Sequence, residues 1–213
     1  LTPEAIERIQ GYFTEPDYAA LDNATDLLAQ QRFENRGFDQ WLQHNVDTHK
    51  KPGYAIVSLT MKKTGTPPGD VTDRQLEQIA DLADEFSFGE VRVTHQQNVV
   101  LADVPQNRLL ELWQELGLNT LTDIICCPGG DFCALANAKS IPVADAIQRR
   151  FDNLDFLYDL GEIDLNISGC MNACGHHHVG NIGVLGVDKK GQEFYQVSLG
   201  GSSQHDASIG KIL

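Results

Sequence analysis

An α+β fold is predicted for this chain of 213 residues, and three observations predict it. Short β-branched runs alternate with segments of helical period between residues 53 and 116. A second set of strand-like runs follows, and all five cysteines lie just before or between them. Hydrophobic residues make up 41% of the chain and charged residues 22%, which suits a globular core rather than a disordered segment.

The first part, residues 1–47, reads as a helical arm or linker. Thr2-Pro3 supplies an N-cap and a proline in the first helical turn, with Ile6, Ile9 and Phe13 on one face. Helical pattern returns near Phe38 to Leu42. From residue 48 to 118 the pattern is that of a compact unit. GYAIVSLTM (53–61) is a strand ended by the turn formers TGTPPGD. Thr72-x-x-Gln75 is a capping box that opens a helix whose apolar residues are Leu76, Ile79, Ala80, Ala83 and Phe86. EVRVTH (90–95) and NVVLADV (98–104) are two further strands. Pro105 opens the next helix, Leu109, Leu112, Trp113 and Leu116 form its buried face, and Gly117 closes it. The order β-α-β-β-α is that of a ferredoxin-like half-sandwich, helices on one face of an antiparallel sheet. Half of a sheet leaves one edge open, so self-association is expected.

Residues 119–213 form the last part. A short helix is expected at 132–139, a break at Pro142, and a second helix to about Phe151. IDLNIS (163–168) is a strand, and the strands at about 179–187 and 192–199 are joined by the turn DKKG.

Composition narrows the function classes. The net charge of −14 argues against nucleic acid or an anionic membrane as partner, since both require basic surface. Neither a signal peptide nor an apolar run long enough to span a membrane is present in the sequence, so a cytoplasmic location is expected. There, clustered cysteines bind metal more often than they form disulfides.

The cysteines occur in CCPGGDFC (126–133) and CMNACGHHH (170–178). Five residues separate Cys127 from Cys133, and three separate Cys170 from Cys174. Four thiolates select zinc or an iron–sulfur cluster, and the five-residue gap is longer than structural zinc favours. Cys126 is excluded, because successive side chains of an extended segment point to opposite sides. Spacing alone leaves zinc and buried, unliganded thiols as alternatives.

CPGGDFCALANAKS, NISGCMNACGHHHVGNIGVLGV and GEVRVTHQQNVVLADV together resemble the sirohaem-dependent sulfite/nitrite reductase family, in the C-terminal half of its haemoprotein (beta-component) chain. The usual forms are C-P-G-x-x-x-C followed by S-G-C-x-N-x-C-G, and the resemblance covers about residues 50–205. It implies that Cys127, Cys133, Cys170 and Cys174 hold a four-iron four-sulfur cluster and that Cys174 also ligates the iron of a sirohaem. Asn172 and His176, with His177 and His178 beside it, are implied as contacts of the cofactors. The reaction implied is the six-electron reduction of sulfite to sulfide by an assimilatory enzyme, with nitrite to ammonia as the alternative. A further alternative is a non-enzymatic electron-transfer or zinc module. The electron donor would be ferredoxin or a flavoprotein reductase subunit.

The sequence departs from a complete enzyme of that family. Such enzymes contain two similar halves, and this chain matches one. The expected R-x-T-x-R-Q segment reads RVTHQQN, with Gln96 in place of the second arginine, and Arg92 is read as a solvated strand residue. No catalytic residue is therefore assigned to this half. From Cys127 onward there are six Lys and Arg against ten Asp and Glu, too few cations for a buried polycarboxylate such as sirohaem. A missing N-terminal repeat, a truncated C-terminus and an inactive isolated chain are the expectations that follow.

Overall fold

A computed structural model describes residues 1–116, 124–151, 153 and 163–213. Gly117, the expected helix stop, and the expected boundary at 118/119 lie outside the described residues.

The chain opens with α1 (Pro3–Gln10), capped by the Thr2 hydroxyl, which accepts from the Ala5 amide. No residue of α1 is buried, and Ile6 and Ile9 are exposed among the described residues. An extended strap follows, then α2 (Thr25–Glu34) and α3 (Arg36–Asn45). Phe38 and Trp41 on α3 are fully buried in the same core as Val57, Leu59, Leu101 and Leu112. This end of the expected arm is therefore part of the compact unit.

That unit is built on a four-stranded antiparallel sheet among the described residues. Its strands are β1 (Val46–Thr48), β2 (Tyr54–Leu59), β3 (Arg92–Val93) and β4 (Val99–Pro105), in the order β1-β2-β4-β3. β1 pairs along β2, Val46 opposite Val57 and Thr48 opposite Ala55. One edge of the sheet is thus formed by a strand that begins in the expected arm, and the other, among the described residues, by the two-residue β3. α4 (Asp73–Phe86) starts on the complete Thr72–Gln75 capping box. It buries Ile79, Leu82, Ala83 and Phe86, whereas Leu76 and Ala80 face solvent. β4 continues through Pro105, and a short 3-10 turn precedes α5 (Leu109–Leu116), so the helix begins later than expected. Leu109 and Leu112 are buried on it, and Trp113 and Leu116 pack partly against the core.

The second sheet contains β5 (Ile124–Cys126), β6 (Leu165–Ser168), β7 (Ile182–Lys189), β8 (Gln192–Leu199) and β9 (Lys211–Ile212), in sequential order. β5, β6 and β7 run parallel, and β8 and β9 are antiparallel. Lys190 and Gly191 form the two-residue loop between β7 and β8, both at positive φ (60° and 77°), as a primed turn requires. The expected helix at 132–139 is not formed. Instead α6 spans Gly129–Phe132, because the amides of Asn137 and Ala138 bond the Gly169 carbonyl at 2.8 and 3.0 Å. Those donors are committed to the second cysteine loop and cannot close helical turns. α7 (Ile141–Arg150), with Pro142 in its first turn, packs Ala144, Ile141 and Ile147 against β5 and β6.

Candidate metal centre

Both cysteine motifs leave the carboxyl ends of adjacent parallel strands. Cys126 ends β5 and lies opposite Ile167 on β6, and Gly169 follows Ser168 at the end of β6. This is where open parallel sheets place ligands, because the connecting loops diverge there. The parallel crossover from β6 to β7 is the second cysteine loop itself, residues 169–181.

The alternation at the end of β5 separates the paired cysteines. Cys126 is buried and its thiol lies 3.2 Å from the carbonyl of Cys127. Burial, above all, pushes this thiol up to about 12, so it stays protonated. The Cys127 sulfur faces the other way. It accepts the Gly169 amide at 3.0 Å and lies 3.5 Å from the Ser140 hydroxyl. The Cys127 amide also bonds the Ile167 carbonyl at 3.0 Å. Two loops far apart in sequence are thereby tied at one sulfur.

Glycine is required where the loops touch. Gly129 has φ +57°, and a Cβ there would sit 2.4 Å from the Ser140 amide nitrogen. A Cβ on Gly175 would meet the Ile167 carbonyl oxygen at 2.1 Å. Around Cys170 and Cys174 the chain makes successive tight turns. Ala173 donates to the Cys170 carbonyl, His176 to the Ala173 carbonyl, and Gly175 to the Ser168 hydroxyl at 3.1 Å. Ala173 and His176 adopt positive φ, 57° and 56°. Cys170 is buried, Cys133 half-buried and Cys174 exposed.

The histidines divide. His176 is exposed two residues from the exposed Cys174, and Asn172 is exposed between the two cysteines. His177 is buried, its ring 3.9 Å from that of His178 and its Nδ1 without a partner among the described residues. Burial, and then His178, lowers its pKa, so it is neutral near pH 7.

Sulfur-only donors suit zinc or an iron–sulfur cluster. A tetrahedral zinc with Zn–S bonds of about 2.3 Å would hold its sulfurs about 3.8 Å apart. Among the described residues, no three cysteine or histidine ligand atoms lie within 4.8 Å of one another. Among the described residues no three sulfurs therefore stand at a single ion's spacing, and four thiolate donors are the chemistry that an iron–sulfur cluster takes. Phe132, Leu135 and Met171, neighbours of the cysteines in the chain, are 72–80% exposed.

The cations nearest the motifs in sequence are paired or exposed. Lys139 pairs with Asp131, Arg149 with Asp145, and Lys189 and Lys190 are exposed in their turn. Arg92 is exposed and bonded to Glu90, as a solvated strand residue would be. Sequence reasoning missed two polar residues of the first unit. Lys62 is 1% exposed, its ammonium 2.5 Å from the Gln96 carbonyl and 3.2 Å from the Asn98 side chain. Gln97 bonds the backbone of Cys126 through both ends of its amide, each at 2.8 Å. The run of polar residues HQQN at a hairpin tip signalled Gln97, and nothing local signalled Lys62.

Residues 59–119 match the family described as nitrite/sulfite reductase ferredoxin-like half domain. The ferredoxin–nitrite reductase of Synechococcus elongatus is 32% identical over 219 residues, 97% of this chain and 40% of the relative. Sulfite reductase [ferredoxin] 2 of Mycolicibacterium paratuberculosis is also 32% identical, over 68% of this chain and 29% of its own length. The chain belongs to the sulfite/nitrite reductase family. The solved structure of the Mycobacterium tuberculosis NirA protein superposes with a TM-score of 0.59 at 28% identity, over 80% of this chain and 33% of that one. Dissimilatory sulfite reductase I, at 14% identity and a TM-score of 0.56, shares the fold. This family member thus spans 40% of the Synechococcus relative and 29% of the Mycolicibacterium one. No helix among the described residues is long and apolar enough to cross a membrane.

Proposed function

We propose that this chain is the cofactor-holding part of a six-electron sulfite or nitrite reductase. The observation that carries the reading is the meeting of both cysteine motifs at the ends of β5 and β6, joined by the bond from the Gly169 amide to the Cys127 sulfur. Cys127, Cys133, Cys170 and Cys174 would hold a four-iron four-sulfur cluster, and Cys174, the exposed sulfur, would also face a sirohaem iron. Bound together, the two groups would supply electrons singly to an anion at the haem.

The chain's own residues do the holding. The Gly169 amide donates to the Cys127 sulfur and orients it, and the Ser140 hydroxyl lies beside the same sulfur. Gly129 and Gly175 let backbone approach backbone where a side chain would wedge the loops apart. Asn172 and His176 stand on the open face beside Cys174, where they can donate hydrogen bonds to cofactor carboxylates. Cys126 stays protonated and outside the ligand set.

Sulfite was the first expectation from sequence. Nitrite stands equally, because the relatives similar to this chain are named for both. Ferredoxin is the donor named for several of them and is proposed here, as are a second repeat supplying the anion-binding cations and the arrangement of a half-domain before a cofactor domain. A doubly charged anion leaves water at high cost unless cations replace its solvation, and the cations described here are exposed or turned to other partners. The isolated chain is therefore expected to be inactive. An anaerobic assay of the chain loaded with iron, sulfide and sirohaem, following sulfide or ammonia from a chemical electron donor, tests this. Sirohaem absorption bands without sustained turnover are expected. Turnover near that of a full-length reductase would show one repeat to be sufficient, and a zinc-loaded colourless chain would overturn the cofactor assignment.

A further inference from the structure

We infer that Gln97 is a positioning residue of the metal centre, fixing the main chain at Cys126 so that Cys127 turns its sulfur into the second cysteine loop. This rests on the cofactor-holding role proposed above. Gln97 Nε2 donates to the Cys126 carbonyl and Gln97 Oε1 accepts from the Cys126 amide, both at 2.8 Å. A single side chain thus imitates a neighbouring strand along the side of β5 away from β6, β5 being the outermost strand of its sheet among the described residues. The other side is held by β6, and the next residue, Cys127, is bonded to Ile167 and Gly169. The cysteine pair is clamped from both directions at the point where the chain leaves the sheet.

The first unit is shaped to hold this amide out. Gln97 lies at φ +59°, a conformation that costs a non-glycine residue energy and is retained where surroundings enforce it. The enforcing bonds run within the hairpin tip: Thr94 amide to Asn98 carbonyl at 3.0 Å, Gln97 amide to Thr94 carbonyl at 3.2 Å, and Asn98 amide to Thr94 hydroxyl at 3.2 Å. Gly69 packs against the tip, where a Cβ would come within 3.1 Å of the Gln97 Cβ. Strain, tip and glycine all serve one contact, and that contact is to the cysteine strand.

Two variants separate reach from polarity. Gln97→Met keeps the length and loses both bonds, and Gln97→Asn keeps the amide one methylene short. Each full chain is reconstituted anaerobically with iron and sulfide, with circular dichroism as the check on folding. Outer-shell partners of metal ligands are worth about 10-fold or more in affinity, so both variants should lose iron by about that factor. The electron paramagnetic resonance signal of the reduced cluster should change shape, and alkylation of Cys127 in the metal-free chain should speed up. Wild-type iron retention, spectrum and Cys127 alkylation in either variant would overturn the proposal. If the wild-type chain takes up no iron, the cofactor-holding role fails, and the positioning role is then decided by alkylation alone. Amide exchange needs no variant: the Cys126 amide of the wild type should be protected like those of Val57 and Leu101, and rapid exchange there would overturn the proposal.

Discussion

The amide of Gly169 points at the sulfur of Cys127 across 3.0 Å, and the two residues are 42 positions apart. The same contact brings Cys170, the next residue, beside the first motif. One hydrogen bond therefore both orients this sulfur and joins the two loops.

Cysteine substitutions should divide by the face each side chain occupies. Cys126→Ser should keep iron binding within about twofold, because the buried Cys126 thiol turns to its neighbour's carbonyl rather than to the second loop. Cys133→Ser should abolish stable cluster binding. Iron and acid-labile sulfide per chain are the readouts, and iron loss in the Cys126 variant would remove the basis for the ligand set.

Backbone contact predicts a graded pair of glycine variants. At Gly175 a new Cβ would lie 2.1 Å from the Ile167 carbonyl oxygen, an atom fixed within β6. Gly175→Ala should cost about 1–3 kcal/mol or more, lowering Tm by at least about 2–4 °C. At Gly130 the nearest atom is 3.4 Å away, on the flexible Lys139 side chain, and Gly130→Ala should fall within about 0.5 kcal/mol of the parent. Equal melting temperatures for the two variants would contradict this account of the loop packing.

Much of this organisation was legible in the sequence, and the parts that were not share a cause. The Thr72–Gln75 capping box and the Lys190-Gly191 turn are local, and each forms as its residues dictate. The helix expected at 132–139 fails because Gly169, far away in sequence, claims the amides of Asn137 and Ala138. Phe38 and Trp41 showed helical period, but the period does not say that they complete the core of the half-domain. Leu76 fits the apolar stripe of α4 and is nevertheless exposed. In the HHH run nothing local distinguishes His177, which is buried, from its exposed neighbours. Partners that come from elsewhere in the chain leave no local trace, and Gln97 is the sharpest instance.

The strap before α2 should weaken in alkali. Tyr18 donates to Asp103 Oδ1 at 2.5 Å, and His49 approaches the same oxygen at 3.2 Å. Burial first, then Asp103, raises the Tyr18 phenol to about 12 from its ordinary 10. Below pH 10 the phenol is neutral in folded and unfolded chains alike and adds no pH dependence. Between 10 and 12 the unfolded chain ionises first, so stability falls as pH rises. Tyr18→Phe should lose about 1 kcal/mol at neutral pH and show a smaller alkaline decline. Tyr195, whose pKa is also raised by burial and Glu193, accounts for a remainder. Denaturant midpoints at pH 8 and pH 11 measure both effects, and an unchanged decline in the variant would remove Tyr18 as its source.

Stoichiometry of the reconstituted centre tests the central claim most directly. The chain is incubated anaerobically with iron and sulfide, freed of excess, and assayed for iron, acid-labile sulfide and the resonance of its reduced form. The account predicts roughly four irons and four sulfides per chain, with a signal that vanishes in Cys133→Ser. A single tightly bound zinc without sulfide, or iron held equally well by that variant, would contradict it.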